Sequence, residues 1–313
     1  GPQLHRLEFR AMGCRMAAWV ATEDAAAAGA RLGAAWALVR TVEAQLSRFL
    51  PSSELGRLNA CRGRPVPVSP LLWEVLGLAL EAARQSGGLF DPTVLDALEA
   101  AGYDRTFAAV AAEDAEDVAP PAPASPWATW RDVALDAPTR TVTLPPGARV
   151  DLGGIAKGWT AQRAAQLLAP LGPCLVDAGG DIAAVGAPPG YPGWPVGVAD
   201  PRAPGEDLAV LALRDGAVAT SGVDWRRWRR GGATMHHLID PRTRRPAETD
   251  LLTATVVAHD AAQAEVHATV ALLLGAEAGR RYLARQPGVE GLLVAQDGRL
   301  LATPGLHRYR LST

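Results

Sequence analysis

The chain has 313 residues, of which 48% are hydrophobic and 20% charged, and its formal net charge is −2. That length exceeds an ordinary domain of roughly 100–200 residues, so it suits one large domain or two packed lobes with a substantial core. The near-neutral balance and high apolar content exclude an intrinsically disordered chain and leave no polycationic surface for nucleic acid.

The start, Gly1-Pro2-Gln3, lacks the basic and apolar run of a secretory signal and looks like the scar of a tag-cleaving protease. The expected location is therefore cytoplasmic, or extracytoplasmic if a signal or lipoprotein segment has been trimmed. Residues 7–20 alternate as a strand, and from Ala25 to Phe49 the apolar residues Leu32, Trp36, Val39, Val42, Leu46 and Phe49 recur every three or four positions as in an amphipathic helix. Ser69-Pro70 offers an N-cap with proline at the first helical position, and Leu72, Val75, Leu76 and Ala79 form the buried stripe of the next helix. Residues 107–127 are rich in Ala, Pro, Glu and Asp without periodicity and read as an exposed loop.

The segments 132–135 and 140–144 then predict a hairpin, and 149–151 a short strand running into a helix at Gly153. Short β-type runs come next at 174–177, 196–198, 208–213, 217–219, 253–257 and 292–295, mostly joined by Gly/Pro/Asp turns. Strands that cluster in this way argue for an α+β fold with antiparallel sheet rather than a doubly wound parallel one. No internal repeat is present. Cys14, Cys61 and Cys174 are odd in number and far apart, which suits neither a disulfide framework nor a zinc site. No apolar run reaches the ~18 residues of a membrane span, so the chain reads as soluble.

Five segments carry chemistry. In Asp151-Leu-Gly-Gly-Ile-Ala-Lys157-Gly158, glycines let backbone amides approach a ligand, and a helix start with a lysine one turn in favours phosphate oxygens. The same residues also make an ordinary turn, and their spacing is neither that of a Walker A loop nor that of a Rossmann fingerprint. Ala178-Gly179-Gly180-Asp181-Ile182 is a second Gly-rich turn, and Ala219-Thr220-Ser221-Gly222 puts hydroxyls at a strand end, where they bind phosphate or simply make a turn. In His236-His237-Leu238-Ile239-Asp240-Pro241 a histidine can accept a hydroxyl proton with Asp240 orienting it, or the pair serves the core. Finally, Asp260 predicts an N-cap, and the i, i+4 spacing puts Glu265 and Thr269 on one helix face, a hard-oxygen pair suited to Mg²⁺ or else a solvated face.

Taken in order, these segments, together with Ala11-Met12-Gly13, Leu46-Ser-Arg-Phe49, Ser53-Glu-Leu with Asn59, and Gly88-Leu-Phe-Asp91-Pro-Thr93, resemble the FAD:protein FMN transferases of the ApbE type. The likeness covers nearly the whole chain, apart from residues 107–127 and the last ~35.

The resemblance implies a single ApbE-like domain over 1–313, built of two closely packed lobes with FAD in a cleft between them. It implies FAD contacts at Met12, Phe49, Leu89, Phe90, Asp91, Asp151, Lys157 and Leu238. Mg²⁺ would be held by the Gly154 carbonyl, Glu265 and Thr269, with Lys157, Ser221 and His237 at the reacting phosphate. The implied reaction is attack of an acceptor flavoprotein's Thr or Ser hydroxyl on the FMN phosphorus, with AMP leaving. An FAD pyrophosphatase and a non-catalytic flavin-binding protein remain as alternatives. Glu265 stands where the family usually has aspartate, Gln162 replaces another aspartate, Cys14 a threonine, and Phe49 a frequent tyrosine whose stacking it retains. The run Asp224-Trp-Arg-Arg-Trp-Arg-Arg230 reads as an acceptor or adenine contact, or as a hairpin of alternating charged and packed residues.

Overall fold

Met12 and Gly13 both take left-handed backbone, with φ of 51° and 71°, and so fold the stretch expected as one strand back on itself. Consecutive residues of positive φ make the hairpin turn whose twist matches the flanking strands. Thus β1 (Gln3–Ala11) pairs antiparallel with β2 (Cys14–Thr22) in this computed structural model, which describes residues 1–111, 127–223, 227–230 and 233–311. The chain forms two compact units, Gly1–Thr41 with Lys157–Gly222 and Thr249–Thr313, and Val42–Ala156 with Val223–Glu248.

The first unit is organised by one sheet. After β2 come β3 (Cys174–Ala178), β4 (Ile182–Val185), β5 (Gly216–Gly222), β6 (Leu251–Ala258), β7 (Glu290–Ala295) and β8 (Leu300–Ala302). The eight strands lie side by side in chain order, and every neighbouring pair is antiparallel. This is the antiparallel α+β arrangement expected from the clustered strands. Side chains alternate across the pleat. Leu175, Ala184, Val218, Val257 and Leu292 lie on the face covered by the paired strands Trp194–Ala199 and Asp207–Leu213. Leu211 and Leu213 of that pair are fully buried, and at about 1.5–3 kcal/mol per buried aliphatic side chain they keep the ribbon on the sheet.

Helix α1 (Ala25–Leu46) stops three residues earlier than its apolar spacing suggests. The Ser47 hydroxyl accepts from the Phe49 amide at 3.3 Å and the Ser47 carbonyl accepts from the Ser53 hydroxyl at 2.7 Å, so local bonds replace the next helical turn. Helix α2 (Ala156–Leu168) begins after a turn at Gly153–Ile155. Helix α3 (Ala261–Leu274) is capped by Asp260, whose carboxylate accepts from the Gln263 amide at 3.1 Å, as expected from sequence. It packs on β5 and β6, and α4 (Ala276–Ala284) comes directly after it. Among the described residues no helix is long and apolar enough to cross a membrane.

In the second unit the helix Pro70–Gln85 is capped by Ser69 and buries Leu72, Val75, Leu76 and Ala79, the expected stripe. The predicted hairpin is present as Ala134–Asp136 paired with Thr141–Thr143, and Pro65–Pro67 adds a third strand. Two expectations fail here. Residues 149–151 are not a strand, because the Asn59 side chain takes the place of a partner: its Oδ1 accepts from Val150 N at 2.7 Å and its Nδ2 donates to Val150 O at 2.9 Å. The stretch read as a loop from 107 begins as a helix, Phe107–Ala111, since Val110 is buried against Leu98, Tyr103 and Trp228; residues 112–126 lie outside the described part.

Candidate functional site

In the first unit the charged residues converge at the start of α2. Lys157 is the second residue of that helix, and its Nζ donates to Glu265 Oε1 at 2.9 Å and to Asp181 Oδ2. The side chains of Asp181 and Glu265 are 3% and 6% exposed, and that of Lys157 is 18% exposed, so three ionisable groups share a site with little water. Burial works against the Lys157 charge, but the two carboxylates outweigh it and raise its pKa, so the ammonium persists. Burial, reinforced by repulsion from Asp181, pushes the Glu265 carboxyl up to about 7, against the opposing pull of Lys157 and the Gly158 amide.

Each group is placed by local backbone chemistry. Asp181 closes the turn between β3 and β4, where Gly179 and Gly180 have φ of 70° and 98° and the Gly180 amide donates to Asp177 at 2.7 Å. Side chains are disfavoured at such φ, and a Cβ on Gly179 would meet Cys14 Cβ at 2.7 Å. The turn after β1, which carries Met12, is thereby packed beside the turn that carries Asp181. Glu265 comes from α3, and its Oε2 accepts from the Gly158 amide at 2.9 Å. That bond requires glycine at 158, because a Cβ there would lie 2.7 Å from the Ala261 carbonyl carbon and 2.9 Å from Ala262 Cα. Gln162 accepts from the Ala261 amide at 3.2 Å and holds the same two helix starts together, a structural use for the position where the family pattern has aspartate. One turn beyond Glu265, Thr269 Oγ1 lies 3.1 Å from Ser221 Oγ at the end of β5.

In the second unit the expected residues form a separate polar group. Asp151 forms an ion pair with Arg48, Nε to Oδ1 at 3.3 Å, and its amide donates to Pro92 O at 2.8 Å. Asp91 accepts from the Thr93 amide at 2.8 Å and hydroxyl at 2.6 Å, capping the short helix Pro92–Val94, and lies 3.6 Å from Arg244 Nη2. Arg244 is itself buried, donating to the carbonyls of Thr93 at 2.7 Å and Ala128 at 2.9 Å. Phe90 is buried beneath the Gly153–Ile155 turn, so close that a Cβ on Gly154 would stand 3.1 Å from its ring. Leu89 is half-buried, as are His237 and Leu238, and the Leu238 carbonyl accepts from the Ala247 amide at 2.9 Å.

The two histidines separate in role. His236 is buried, its Nε2–H donates to Ala247 O at 3.0 Å, and burial lowers its pKa, so it is a neutral core histidine. Asp240, expected to orient a histidine, is instead held by Arg242 at 2.7 and 2.9 Å. In the basic-aromatic run, Arg227–Arg230 pairs with Ala233–His236 as a hairpin; Trp228 is buried and donates to Ala101 O at 2.9 Å, while Arg227 and Arg229 are exposed. That is the alternating packed and charged pattern; Asp224–Arg226 lie outside the described part.

The sequence points to Lys157, Ser221, Glu265 and Thr269, and the fold brings all four into the first unit. It does not single out Asp181, although a Gly-Gly-Asp turn is a readable signal for a carboxylate held at a strand end. Arg48 and Arg244, which pair with Asp151 and Asp91, carry no such signal.

Residues 12–293 match the ApbE family. The FAD:protein FMN transferase of Treponema pallidum is 34% identical over 308 residues, covering 94% of this chain and 84% of its own. The crystal structure of the ApbE protein from Thermotoga maritima superposes with a TM-score of 0.88 at 26% identity, over 99% of this chain and all of that one. The flavinyl transferase ApbE of Pseudomonas stutzeri, at 20% identity, shares the fold with a TM-score of 0.82 over 100% of this chain and 98% of its own.

Proposed function

Because the chain belongs to the ApbE family, we propose that it is an FAD:protein FMN transferase, which moves the FMN half of FAD onto a threonine or serine hydroxyl of an acceptor flavoprotein and releases AMP. The observation that supports this most is the Lys157 ammonium held between Asp181 and Glu265 at a helix start. A pyrophosphate repels an incoming oxygen nucleophile, and a fixed cation lowers that barrier where charge builds up. In this reading the whole chain acts as one functional domain.

The acceptor oxygen forms a bond to the FMN phosphorus, the bond from that phosphorus to the bridging oxygen breaks, and AMP carries the bridging oxygen away. His237 accepts the hydroxyl proton, Lys157 stabilises charge on the phosphate oxygens, and Ser221 donates to them. Met12, Phe49, Leu89, Phe90, Asp91, Asp151 and Leu238 bind FAD. A loose phosphoryl transition state asks little of a base, so positioning counts for more than the basicity of His237.

The donor set also fits Mg²⁺. Two buried carboxyl groups face one ammonium and offer hard oxygen donors, and two hydroxyls lie in the same unit. Among the described residues no three His, Cys, Asp or Glu side chains form a metal cage, and Mg²⁺ typically takes only one or two carboxylates and draws its other ligands from phosphate and water. Glu265 and Thr269, with the Gly154 carbonyl, would hold the ion, which would supply positive charge against the pyrophosphate.

The test is to incubate the protein with FAD and Mg²⁺, with and without a candidate acceptor, following AMP by chromatography and the acceptor by intact mass. An acceptor that gains the mass of FMN as AMP appears establishes the transferase. AMP released equally without acceptor means hydrolysis instead, and FAD left intact in both tubes rules out turnover with that acceptor.

A further inference from the structure

Arg48 lies just past the end of α1 and precedes Phe49, and its side chain is 4% exposed. Its guanidinium lies 4.1 Å from the ring centroid of Phe49 and 4.5 Å from that of Tyr103, with those two rings 5.8 Å apart. Tyr103 stands 5.6 Å from Trp228, which is tied to the Ala101 carbonyl. The cation therefore sits in a corner made by two tilted rings, one of which is itself braced. Its edge points to Asp151, with Nε at 3.3 Å from Oδ1. Its Nη2 is buried without a hydrogen-bond partner.

A buried donor without a partner costs stability, a cost that Arg48 shares with the Nε of Arg230 and of Arg244, so what sets Arg48 apart is its place between Asp151 and the Phe49 ring. It pairs with the Asp151 carboxylate while its guanidinium lies over the neighbouring ring. A planar guanidinium stacks and donates at once, which an ammonium cannot do. We propose that Arg48 is a positioning residue that sets the Asp151 carboxylate and the Phe49 ring together for FAD. It turns one oxygen of Asp151 toward itself and fixes the plane of Phe49. This rests on the reading that the chain binds FAD.

The test measures FAD affinity by titration calorimetry on the whole chain, alongside melting temperature. Arg48→Lys keeps the charge but loses the planar stack, and it should weaken FAD binding at least about tenfold, the loss of one hydrogen bond to a charged group. Asp151→Asn should weaken it similarly, and the double variant should lose clearly less than the sum of the two single losses, since Arg48 acts in part through Asp151. Tyr103→Leu, which removes one of the two rings beside the guanidinium and leaves Asp151 intact, should also weaken FAD and serves if Arg48→Lys does not fold. A purely structural Arg48 would lower the melting temperature and leave the affinity of the folded fraction unchanged. Arg48→Lys and Tyr103→Leu proteins that bind FAD like the parent, or losses that simply add in the double variant, would overturn the proposal. A parent that binds no FAD would instead overturn the transferase reading, and this proposal with it.

Discussion

Replacing Gly158 with alanine separates helix propensity from packing, because the two predict opposite signs. Gly158 is the third residue of α2, and in a helix interior alanine is favoured over glycine by about 1 kcal/mol. Propensity alone therefore predicts a more stable protein. The added Cβ, however, would sit 2.7 Å from the carbonyl carbon of Ala261 and 2.9 Å from Ala262 Cα, and both are backbone atoms that cannot rotate away. The start of α3 must back off from α2 by several tenths of an ångström or more, an overpacking cost of about 1–3 kcal/mol. The same shift stretches the bond from the Gly158 amide to Glu265, and a hydrogen bond to a charged group is worth about 1.5–3 kcal/mol.

Set against propensity, the net is a loss of about 1.5–5 kcal/mol, and at the about 2–4 °C per kcal/mol typical of chains of 150–250 residues the melting temperature should fall by about 3–20 °C. AMP release should fall further than stability does, because Glu265 moves relative to Lys157. Gly33 is the matched control: it is exposed within α1, and nothing lies within 4 Å of a Cβ built there. Gly33→Ala should raise stability by about 0.4–1 kcal/mol. Thermal melts monitored by circular dichroism on both variants decide the matter. A Gly158→Ala protein that melts at or above the parent and keeps full AMP release would refute the argument that backbone contact at 158 places Glu265.

Lys157→Met removes the cation from between Asp181 and Glu265, and leaving buried charge unpaired costs about 3–5 kcal/mol. The folded variant should then hold its carboxyl protons to higher pH than the unfolded chain does, so its stability should decline as pH rises from 5 to 8; urea unfolding at the two pH values reads this, and a flat difference from the parent contradicts it. His236, whose pKa is lowered by burial, works in the other direction. The unfolded chain takes up a proton that the folded one resists, so this contribution is present above pH ~6.5 and lost as pH falls below it. His267 is lowered in the same way, so the His236 share is isolated by comparing the parent with His236→Gln, which should lose less stability between pH 7 and 5. Equal losses in the two proteins would place His236 outside this linkage.

How much the sequence discloses depends on the range of the interactions involved. The cap at Ser69, the cap at Asp260 and the pairing of Glu265 with Thr269 on one helix face depend on residues within four positions of each other, and each stands as expected. The hairpin hidden in residues 7–20 escapes a reading of alternation because its signal is the left-handed backbone of Met12, a residue type that rarely adopts it. The false strand at 149–151 depends on Asn59, 91 residues before Val150, whose side-chain amide imitates a strand edge.

The charge arrangement of the site is of this long-range kind. Lys157 meets Asp181 across 24 residues and Glu265 across 108, and no local pattern announces that either carboxylate will meet the lysine. Only when β3, β4 and α3 are assembled does a lysine that reads as a lone phosphate ligand become one cation shared by two carboxylates. Glu265 shows the consequence for the site. A side chain one methylene longer than the family's usual aspartate reaches both the Lys157 ammonium and the Gly158 amide, so each of its oxygens is already engaged. Asp181 is the second carboxylate on Lys157, so in the proposed transferase reading Glu265 could turn an oxygen to a metal ion without leaving the ammonium unpaired, which makes the pair, rather than Glu265 alone, the unit to test by substitution.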